Sequence, residues 1–483
     1  MKVKVLKAIP AAGKTKAILE NIHGNNELSI VASISRQLSR QSFDYFESIG
    51  GSGVIIDTDN KRGANSVNKA LAQCVEQGVR VVFMTHQALL GFTEYNLLKG
   101  YSLYIDEVPE LITFDRFSFT HNLDRVLEYC EPISGELDVF EDLVLQEQYT
   151  EEVTKFAVAG QSGQDDVCAT LLPLYKSLLQ GIPTKIQLTE SGAHCYFIDD
   201  QSTKDWKVFK QITVACANIE DTFTGMVLKH FNGWEFEESD LQSKLLFTDY
   251  KNSSRITINV MMEQSWSKHA ANTETDGVTN YTRMKNIIEG LVDGKDFIYT
   301  RNSYRARFSA GLEVPYNPHG LNGYSTFKNV AVMFSFNPLP WQIPLLRELA
   351  VSVDLEQDAL IDAYVVSKYL EPAFQLCARS NIRVTKSNSK INLFVPDMRL
   401  AEYMKEHYFK NATINTEYMI KAKPKKQTRD RKSFQKMFNM DKKEKYKYMY
   451  LLRKLGRVLD TENEADVKLV SEWISKSRSK VIT

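Results

Sequence analysis

Short apolar runs alternate with helical stretches over the opening part of the chain. Val3–Pro10 predicts a strand that enters a loop, and Thr15–His23 predicts the helix that follows it. Further apolar runs predict strands at 27–34, 79–86 and 101–108. Because these runs are apolar at almost every position, they are typical of strands buried on both faces of a parallel sheet. The pattern therefore predicts an α/β fold built from strand–helix units.

The alternation is interrupted between about residues 120 and 210. The acidic stretch Gly135–Thr154 predicts a helix, the polar segment Gly160–Asp166 predicts a linker, and a hairpin is predicted near Ala193–Asp199. These features indicate a helical or mixed insertion in the first domain. No motif in it indicates a chemical role.

The alternation resumes at 209–223 and continues with predicted strands at 255–262, 296–303 and 329–336. We therefore predict three regions. They are a first α/β domain at 1–255 that contains the insertion, a second α/β domain at 256–415, and a basic helical region at 416–483.

Composition is that of an ordinary globular protein, with 43% hydrophobic and 25% charged residues in 483. No apolar run approaches the roughly 18–20 residues that span a bilayer. The first residues are charged and alternate with apolar ones, so no signal peptide is expected and a cytoplasmic location is predicted. Six scattered cysteines without C-x-x-C spacing favour buried small side chains over a zinc module.

The net charge of zero conceals a strong asymmetry along the chain. Thr416–Thr483 holds 19 lysines and arginines against 9 aspartates and glutamates, a net charge of +10, so residues 1–415 carry −10. A basic tail on an acidic body indicates an anionic partner, and a basic helix that packs on the body is the alternative.

Candidate chemistry begins at residues 8–15, which read Ala-Ile-Pro-Ala-Ala-Gly-Lys-Thr. This matches the phosphate-loop pattern Gly-x4-Gly-Lys-Ser/Thr at every position except the first, which is Ala8. The pattern places backbone N–H groups of Ala12 and Gly13 near phosphate oxygens, the ammonium of Lys14 near the β- and γ-phosphates, and the hydroxyl of Thr15 near Mg²⁺. The segment therefore predicts a nucleoside-triphosphate site.

An acidic pair supplies the partner that such a loop needs. The predicted strand at 101–108 ends in Asp106 and Glu107. An aspartate at a strand end can hold the Mg²⁺ that bridges the phosphates, and the adjacent glutamate can orient or deprotonate the attacking water. A solvated acidic pair is the alternative, but the combination with the phosphate loop favours the catalytic interpretation.

These motifs together resemble those of the superfamily 2 helicases, particularly the compact forms found in phages and other mobile elements. The segment Val31–Gln41 is similar to the family's first contact with the nucleic-acid backbone, and Phe83–Leu90 is similar to the next. Ile212–Thr222 lies where the family couples hydrolysis to strand movement. The resemblance implies two RecA-like domains, and it implies nucleic-acid contacts at Ser33, Arg36, Thr85 and His86.

The second domain extends the resemblance. Asn317–Met333 resembles the family's fifth motif, through Gly320, Asn322 and Gly323, and the resemblance places Gly320 and Asn322 at the nucleotide. Glu371–Arg383 resembles the sixth motif, which implies that Gln375, Arg379 and Arg383 face the γ-phosphate. The second arginine follows the glutamine by eight residues here, whereas the common family spacing is seven.

The basic tail adds a candidate contact for nucleic acid. Lys421–Arg457 holds 15 lysines and arginines against 3 acidic residues, with aromatic residues interleaved. Such charges can neutralise phosphates and such rings can stack on bases, and we single out Lys425, Lys426 and Arg431. An apolar stripe with helical spacing, which includes Tyr448, predicts that part of the tail packs against other residues.

The sequence thus predicts an ATP- and Mg²⁺-dependent NTP hydrolase that moves along or unwinds DNA during replication or recombination of a phage-like genome, with replication proteins as partners. RNA remains open as the substrate. The short segment before the first strand and the Val-Pro that follows Glu107 are unlike DEAD-box RNA helicases. Two alternatives remain: a terminase-like packaging ATPase, and a nucleic-acid-binding or origin-recognition protein with a regulatory nucleotide site.

Overall fold

The computed structural model describes most of the chain. The described residues are 1–119, 123–134, 140–181, 184–189, 192–200, 203–316, 323–422, 434–440, 448, 451–452, 455 and 459–479. They form two compact units. The first contains residues 1–111 and 201–422, and the second contains residues 112–200 and 423–483.

Strands and helices alternate along much of the chain, and both units are included in the bounds that follow. The strands are β1 (Lys2–Lys7), β2 (Ser29–Ser33), β3 (Val54–Ile55), β4 (Val81–Thr85), β5 (Ser102–Asp106), β6 (Ile112–Phe119), β7 (Cys130–Ser134), β8 (Glu141–Leu145), β9 (Thr184–Thr189), β10 (Gly192–Asp200), β11 (Gln211–Cys216), β12 (Glu235–Glu238), β13 (Ile256–Val260), β14 (Glu274–Thr275), β15 (Val278–Thr279), β16 (Phe297–Arg301), β17 (Leu312–Glu313), β18 (Asn329–Met333), β19 (Ile391–Val395) and β20 (Thr413–Asn415). The helices are α1 (Lys14–Asn25), α2 (Arg36–Ser48), α3 (Val67–Glu76), α4 (His86–Leu90), α5 (Leu123–Tyr129), α6 (Thr150–Ser162), α7 (Asp166–Leu179), α8 (Phe223–His230), α9 (Lys268–Asn272), α10 (Asn280–Leu291), α11 (Gln342–Val351), α12 (Ala359–Val365), α13 (Glu371–Cys377), α14 (Met398–His407), α15 (Phe434–Met437) and α16 (Glu464–Ser479).

The first sheet has seven strands in the order β12-β1-β11-β5-β2-β4-β3. Every neighbouring pair is parallel. Its central strands β2 and β5 are buried along their whole length, as expected for a sheet covered on both faces. Because the strands are parallel, the loops that follow β1, β2, β4, β5 and β11 meet at one edge, the carboxyl edge of the first sheet.

The second sheet belongs to the same unit and has six strands in the order β17-β16-β18-β19-β13-β20. Its neighbouring strands are also parallel. One continuous apolar core joins residues of both sheets, from Leu6 and Val31 of the first to Ile258 and Leu393 of the second. Burial of this shared core stabilises the packing of the two sheets within the unit.

Several helices begin at the carboxyl edges, immediately after the strands end. Helix α2 begins after Ser35, whose hydroxyl accepts a hydrogen bond from the backbone N–H of Leu38. Thr85, Thr222 and Asp397 cap α4, α8 and α14 in the same way. These caps fix the point at which each loop becomes a helix, and therefore fix the side chains of that edge.

The second unit contains a five-stranded antiparallel sheet in the order β6-β10-β9-β8-β7. Helices α6 and α7 approach closely at Gly160, where an added Cβ would lie 2.5 Å from the carbonyl oxygen of Cys168. The tail has its own apolar cluster, which includes Phe434, Tyr448 and Ile474. This cluster agrees with the expectation that part of the tail packs.

The structure confirms the α/β fold with two RecA-like parallel-sheet domains and confirms all eight predicted strands of the two parallel sheets. The predicted hairpin is formed by β9 and β10. The helix predicted within Gly135–Thr154 is wrong at 141–145, which forms β8. Leu143 is buried there and the partly buried Leu145 packs against the same core, so the two-residue period of a strand places both leucines on one face.

Five of the six cysteines are buried, as expected, and Cys168 is half-buried. Among the described residues, no helix is long and apolar enough to cross a membrane. The predicted domain boundaries near residues 255 and 415 remain predictions.

Candidate functional site

The loop between β1 and α1 has the backbone shape of an anion cradle. Ala11 and Gly13 both adopt left-handed conformations, with φ of 68° and 88°. Gly13 is the N-cap of α1, and no side chain in the described part of the chain caps this helix. The first N–H groups of α1 therefore retain their capacity to bind an anion at the positive end of the helix dipole.

Ala8 replaces the first glycine of the phosphate-loop pattern without apparent strain. Its backbone N–H donates to the carbonyl oxygen of Cys216 at 2.9 Å, which continues the pairing of β1 with β11. Its methyl group is buried, and positive φ in this loop occurs at Ala11 and Gly13 instead. A side chain at position 8 is therefore compatible with the loop.

Four predicted catalytic and metal-binding residues lie together at the carboxyl edge of the first sheet. The ammonium nitrogen of Lys14 lies 3.2 Å from Oδ1 of Asp106 and contacts the carboxylate of Glu107. The hydroxyl of Thr15 donates to Oδ2 of Asp106 at 3.2 Å. Burial disfavours the charge of Lys14, but the two carboxylates outweigh this effect and raise its pKa above the ordinary value.

Glu107 is held in an unusual backbone conformation. Its φ is 73°, in the left-handed region that non-glycine residues rarely adopt. Its N–H donates to the carbonyl oxygen of Ala215 at 2.9 Å, so β11 fixes the conformation. Such strain is found at functional sites, and here it accompanies a buried carboxylate that contacts Lys14.

The second sheet contributes Arg379, which follows α13. The carboxylates of Glu107 and Asp106 both act on its guanidinium, so it lies within electrostatic reach of the pair. Burial nevertheless lowers the pKa of Arg379 from its ordinary value, with the nearby charge of Arg383 acting in the same direction and the carboxylates opposing. A partly desolvated arginine is thus brought near the carboxylates of the other domain.

Gln375 and Arg383 are the other two residues of the sixth motif. Gln375 is buried in α13, and its Oε1 has no hydrogen-bond partner among the residues that the structure describes. Arg383 and Arg379 both act electrostatically on the hydroxyl of Tyr250, which donates to the carbonyl oxygen of Pro10 at 2.9 Å. The two arginines of the sixth motif therefore act on a tyrosine that contacts the phosphate loop.

The segment between β12 and β13 was not anticipated as part of the site. The N–H of Leu246 donates to the carbonyl oxygen of Ala12 at 2.9 Å, and the Leu246 side chain lies over Gly13. Tyr250 is buried against the same loop. No motif marks these residues, although the apolar run Leu245–Phe247 in an otherwise polar connection was a usable signal.

A buried carboxyl in the second domain is a further unanticipated feature. Oε1 of Glu371 accepts hydrogen bonds from the hydroxyls of Tyr403, at 2.5 Å, and Tyr408. Burial raises the pKa of Glu371 to about 7, although the two hydroxyls act in the opposite direction. Asn218, in the loop after β11, donates to the hydroxyl of Tyr403 at 3.1 Å and so connects this cluster to the first sheet.

The predicted nucleic-acid contacts of the first domain differ in exposure. Arg36 is exposed and contacts Thr58 and Asp59, and Thr85 is half-buried. Ser33 is fully buried, and the buried ring of His86 lies 3.1 Å from the carbonyl oxygen of Asp106. Their roles in binding remain predictions. The remaining predicted residues lie outside the described part of the chain, and they are Gly320, Asn322, Lys425, Lys426 and Arg431.

The oxygen atoms beside the phosphate loop determine whether the site suits Mg²⁺. The described residues include no group of three or more histidine, cysteine, aspartate or glutamate side chains that could hold a metal by themselves. The adjacent oxygens of Thr15 and Asp106 suit a Mg²⁺ ion that takes its other ligands from phosphate and water. The donor set therefore fits the predicted ion.

Comparisons with known proteins gave matches among solved structures alone. No family model and no curated protein matches the chain. The S. tokodaii Xpd4 structure is 10% identical, with a TM-score of 0.45 over 86% of this chain and 96% of that chain. An apo XPD structure is 11% identical, with a TM-score of 0.46 over 87% and 97%. Mss116p bound to single-stranded RNA and AMP-PNP is 10% identical, with a TM-score of 0.34 over 88% and 71%.

Proposed function

We propose that the chain is an ATP-hydrolysing helicase or translocase that acts on nucleic acid. The observation that carries the proposal is the link between the phosphate loop and the sixth-motif helix: the hydroxyl of Tyr250 donates to the carbonyl oxygen of Pro10 at 2.9 Å, and the Tyr250 ring lies 6.5 Å from the ring of Phe374 in α13. The carboxylates of Asp106 and Glu107 also act electrostatically on Arg379, which follows this helix. A site made from two domains changes when the domains move. Such a site can couple hydrolysis to alternating grip and release of a strand, as the resemblance to superfamily 2 implies.

Each residue has a proposed role that follows from its chemistry. The N–H groups at the start of α1 and the ammonium of Lys14 bind the phosphates of ATP. Thr15 and Asp106 hold Mg²⁺, which when bound neutralises charge on the phosphates. Glu107 orients the attacking water and accepts its proton, while Arg379, with Gln375 and Arg383, stabilises the charge that develops on the transferred group.

DNA is the proposed substrate, and RNA is the alternative. The proposal of DNA, and of a role in replication or recombination of a phage-like genome, is supported by the resemblance of the motifs to compact helicases of mobile elements. The basic tail supports a contact with nucleic acid of either kind, because its charge attracts phosphates without regard to sequence.

The test is steady-state ATP hydrolysis by the full chain, with and without single-stranded DNA or RNA. We expect nucleic acid to stimulate turnover in the wild type. Lys14→Ala and Glu107→Gln should each lower the stimulated rate by about a hundredfold or more. The first removes the ammonium that contacts the phosphates, and the second removes the carboxylate that accepts the proton of the attacking water. Lys99→Ala and Glu94→Gln are matched controls, since both side chains are exposed and lie outside the site.

Two results would contradict the proposal. A wild type that hydrolyses ATP no faster with any DNA or RNA is not a motor on nucleic acid. A Glu107→Gln variant with wild-type turnover would remove Glu107 from the catalytic machinery. Strand displacement on duplexes with 5′, 3′ or forked tails then separates unwinding from translocation alone.

A further inference from the structure

Among the residues whose burial the structure describes, three aromatic side chains are the most exposed to solvent. They are Tyr304, Tyr316 and Phe336, with exposed fractions of 59%, 46% and 36%. All three belong to the second domain. A cluster of exposed large rings in one region indicates a binding surface.

The topology of the second sheet brings these rings to one edge. Tyr304 follows β16, Tyr316 follows β17 and Phe336 follows β18, and these three strands are neighbours. Both strand pairs are parallel, so the three residues lie beyond the carboxyl ends of the strands. The side-chain amide of Asn302 also donates to the carbonyl oxygen of Ser335 at 3.3 Å, which joins the loop of Tyr304 to that of Phe336. We call the three residues the aromatic patch.

Two rings of the aromatic patch, those of Tyr316 and Phe336, pack on a buried ring. The centroids of Tyr316 and Phe336 are 4.9 Å apart, and each lies 5.8 Å from the centroid of the fully buried Phe334. Phe334 packs in turn against the buried ring of Tyr369. Two exposed rings fixed on a buried aromatic base lose little conformational freedom when a flat ligand packs on them.

Cationic side chains lie at the Tyr304 end of the patch. The guanidinium of Arg305 lies 4.9 Å from the ring centroid of Tyr304, and the ammonium of Lys268 lies 5.4 Å from it. Arg307 is 75% exposed in its side chain, and the acidic residue that pairs with it is Glu313. The local charge is therefore positive, which favours an anionic ligand that also offers flat apolar faces.

We propose that the aromatic patch binds single-stranded nucleic acid by stacking on its bases, while Lys268 and Arg305 attract the adjacent phosphates. Bases and phosphates together match the rings and the charges, whereas an apolar protein segment would match the rings alone. The inference rests on the proposed function, because it assigns part of the strand-binding surface of the same motor. It adds a contact with the bases to the backbone contacts expected in the first domain.

The test compares two strands of the same length, an oligothymidine of about 20 nucleotides and its abasic counterpart, which keeps the phosphates but lacks bases. Binding to the full chain is measured by fluorescence anisotropy. We expect the wild type to bind the base-bearing strand about tenfold or more tightly than the abasic strand. The double variant Tyr316→Ala/Phe336→Ala should lose most of this preference and retain its affinity for the abasic strand.

Two further variants make the outcome decisive. Tyr316→Phe/Phe336→Tyr keeps both rings and should keep the preference, so it separates loss of stacking from loss of folding if the alanine variant is unstable. Leu28→Ala/Val351→Ala removes exposed apolar side chains outside the patch and should leave binding unchanged.

The inference and the proposed function fail in different ways. Equal affinity of the wild type for both strands would overturn base stacking, while stimulated ATP hydrolysis would still support the motor. An unchanged preference in a folded alanine variant would exclude these rings and favour a protein partner for the patch. A wild type that binds neither strand nor any RNA would overturn both proposals.

Discussion

Lys14 and Arg379 are far apart in the sequence, but both interact with the carboxylates of Asp106 and Glu107. Lys14 is held between Asp106 and Glu107, and the same carboxylates act on Arg379. Lys14 thus contacts both carboxylates directly, and Arg379 interacts with them electrostatically. The lysine lies at the first parallel sheet, and the arginine follows α13 beside the second.

This difference predicts how an Arg379→Ala variant behaves. The arginine is proposed to act on charge that develops during phosphoryl transfer, so its loss should lower kcat by about a hundredfold or more. Affinity for ATP should change far less, because α1 and Lys14 supply the phosphate contacts. Turnover and equilibrium binding of a fluorescent ATP analogue are the two measurements. Arg347→Ala is the control, since Arg347 pairs with Asp358. Equal losses in turnover and affinity would contradict the assignment.

For single residues, the sequence predicts those that belong to a motif and misses those that only the folded chain brings to the site. Lys14, Thr15, Asp106 and Glu107 are recognisable because phosphate chemistry requires these residue types at these spacings. Tyr250 and Leu246 reach the loop through the connection between the domains, and their contacts are to backbone atoms of Pro10 and Ala12. A contact with a backbone atom demands no particular partner residue and therefore leaves no paired signal in the sequence.

The elements of the two parallel sheets were predictable for a related reason. A strand such as β5 is buried on both faces, so nearly every residue is apolar and the run is recognised without knowledge of its neighbours. β8 is different, because its acidic residues Glu141 and Asp142 obscure the alternation that buries Leu143. Its pairing with β7 and β9 determines the conformation, and that pairing cannot be derived from the local pattern.

The contact between α13 and α14 gives a prediction at the scale of elements. Glu371 of α13 accepts hydrogen bonds from the hydroxyls of two tyrosines in and just after α14. Burial raises its pKa to about 7 from an ordinary value of 4.5. Between these values the folded chain keeps a proton that the unfolded chain has lost. The contribution of this carboxyl to stability is therefore fully present below about pH 4.5 and is lost as the pH rises towards 7.

Glu371→Gln should remove this dependence, because the amide oxygen still accepts a hydrogen bond but the side chain does not ionise. Relative to the wild type, the variant should gain on the order of 1–3 kcal/mol in the free energy of unfolding between pH 5 and pH 8. Urea unfolding at a series of pH values measures the difference. Glu406→Gln is the control, since Glu406 lies on α14 and is exposed. A difference between Glu371→Gln and wild type that does not vary with pH would contradict the shift.

The whole molecule is polarised in charge as well as divided into units. The proposed catalytic residues all lie within residues 1–415, which carry −10, whereas Thr416–Thr483 carries +10. Negative charge on the body disfavours unspecific attraction of a phosphate backbone, so affinity depends on the local positive regions. The tail and the surroundings of the aromatic patch are two such regions, and we expect them to bind through different interactions: phosphate contacts for the tail and base stacking for the patch. Phosphate contacts weaken with salt, while stacking on bases depends on it much less.

The tail should therefore account for much of the salt dependence of binding. Each phosphate contact on a single strand contributes a slope of about −0.7 to the logarithm of affinity against the logarithm of salt concentration. If Lys425, Lys426 and Arg431 each contact a phosphate, replacing all three by alanine should flatten the slope by roughly 2, whatever the strand sequence. Titrations of labelled oligothymidine at a series of salt concentrations measure the slope. Alanine at the exposed Lys99, Lys229 and Lys410 removes the same charge elsewhere and should change it much less. Equal slopes for the tail variant and the wild type would show that these cations serve packing or solvation instead of binding.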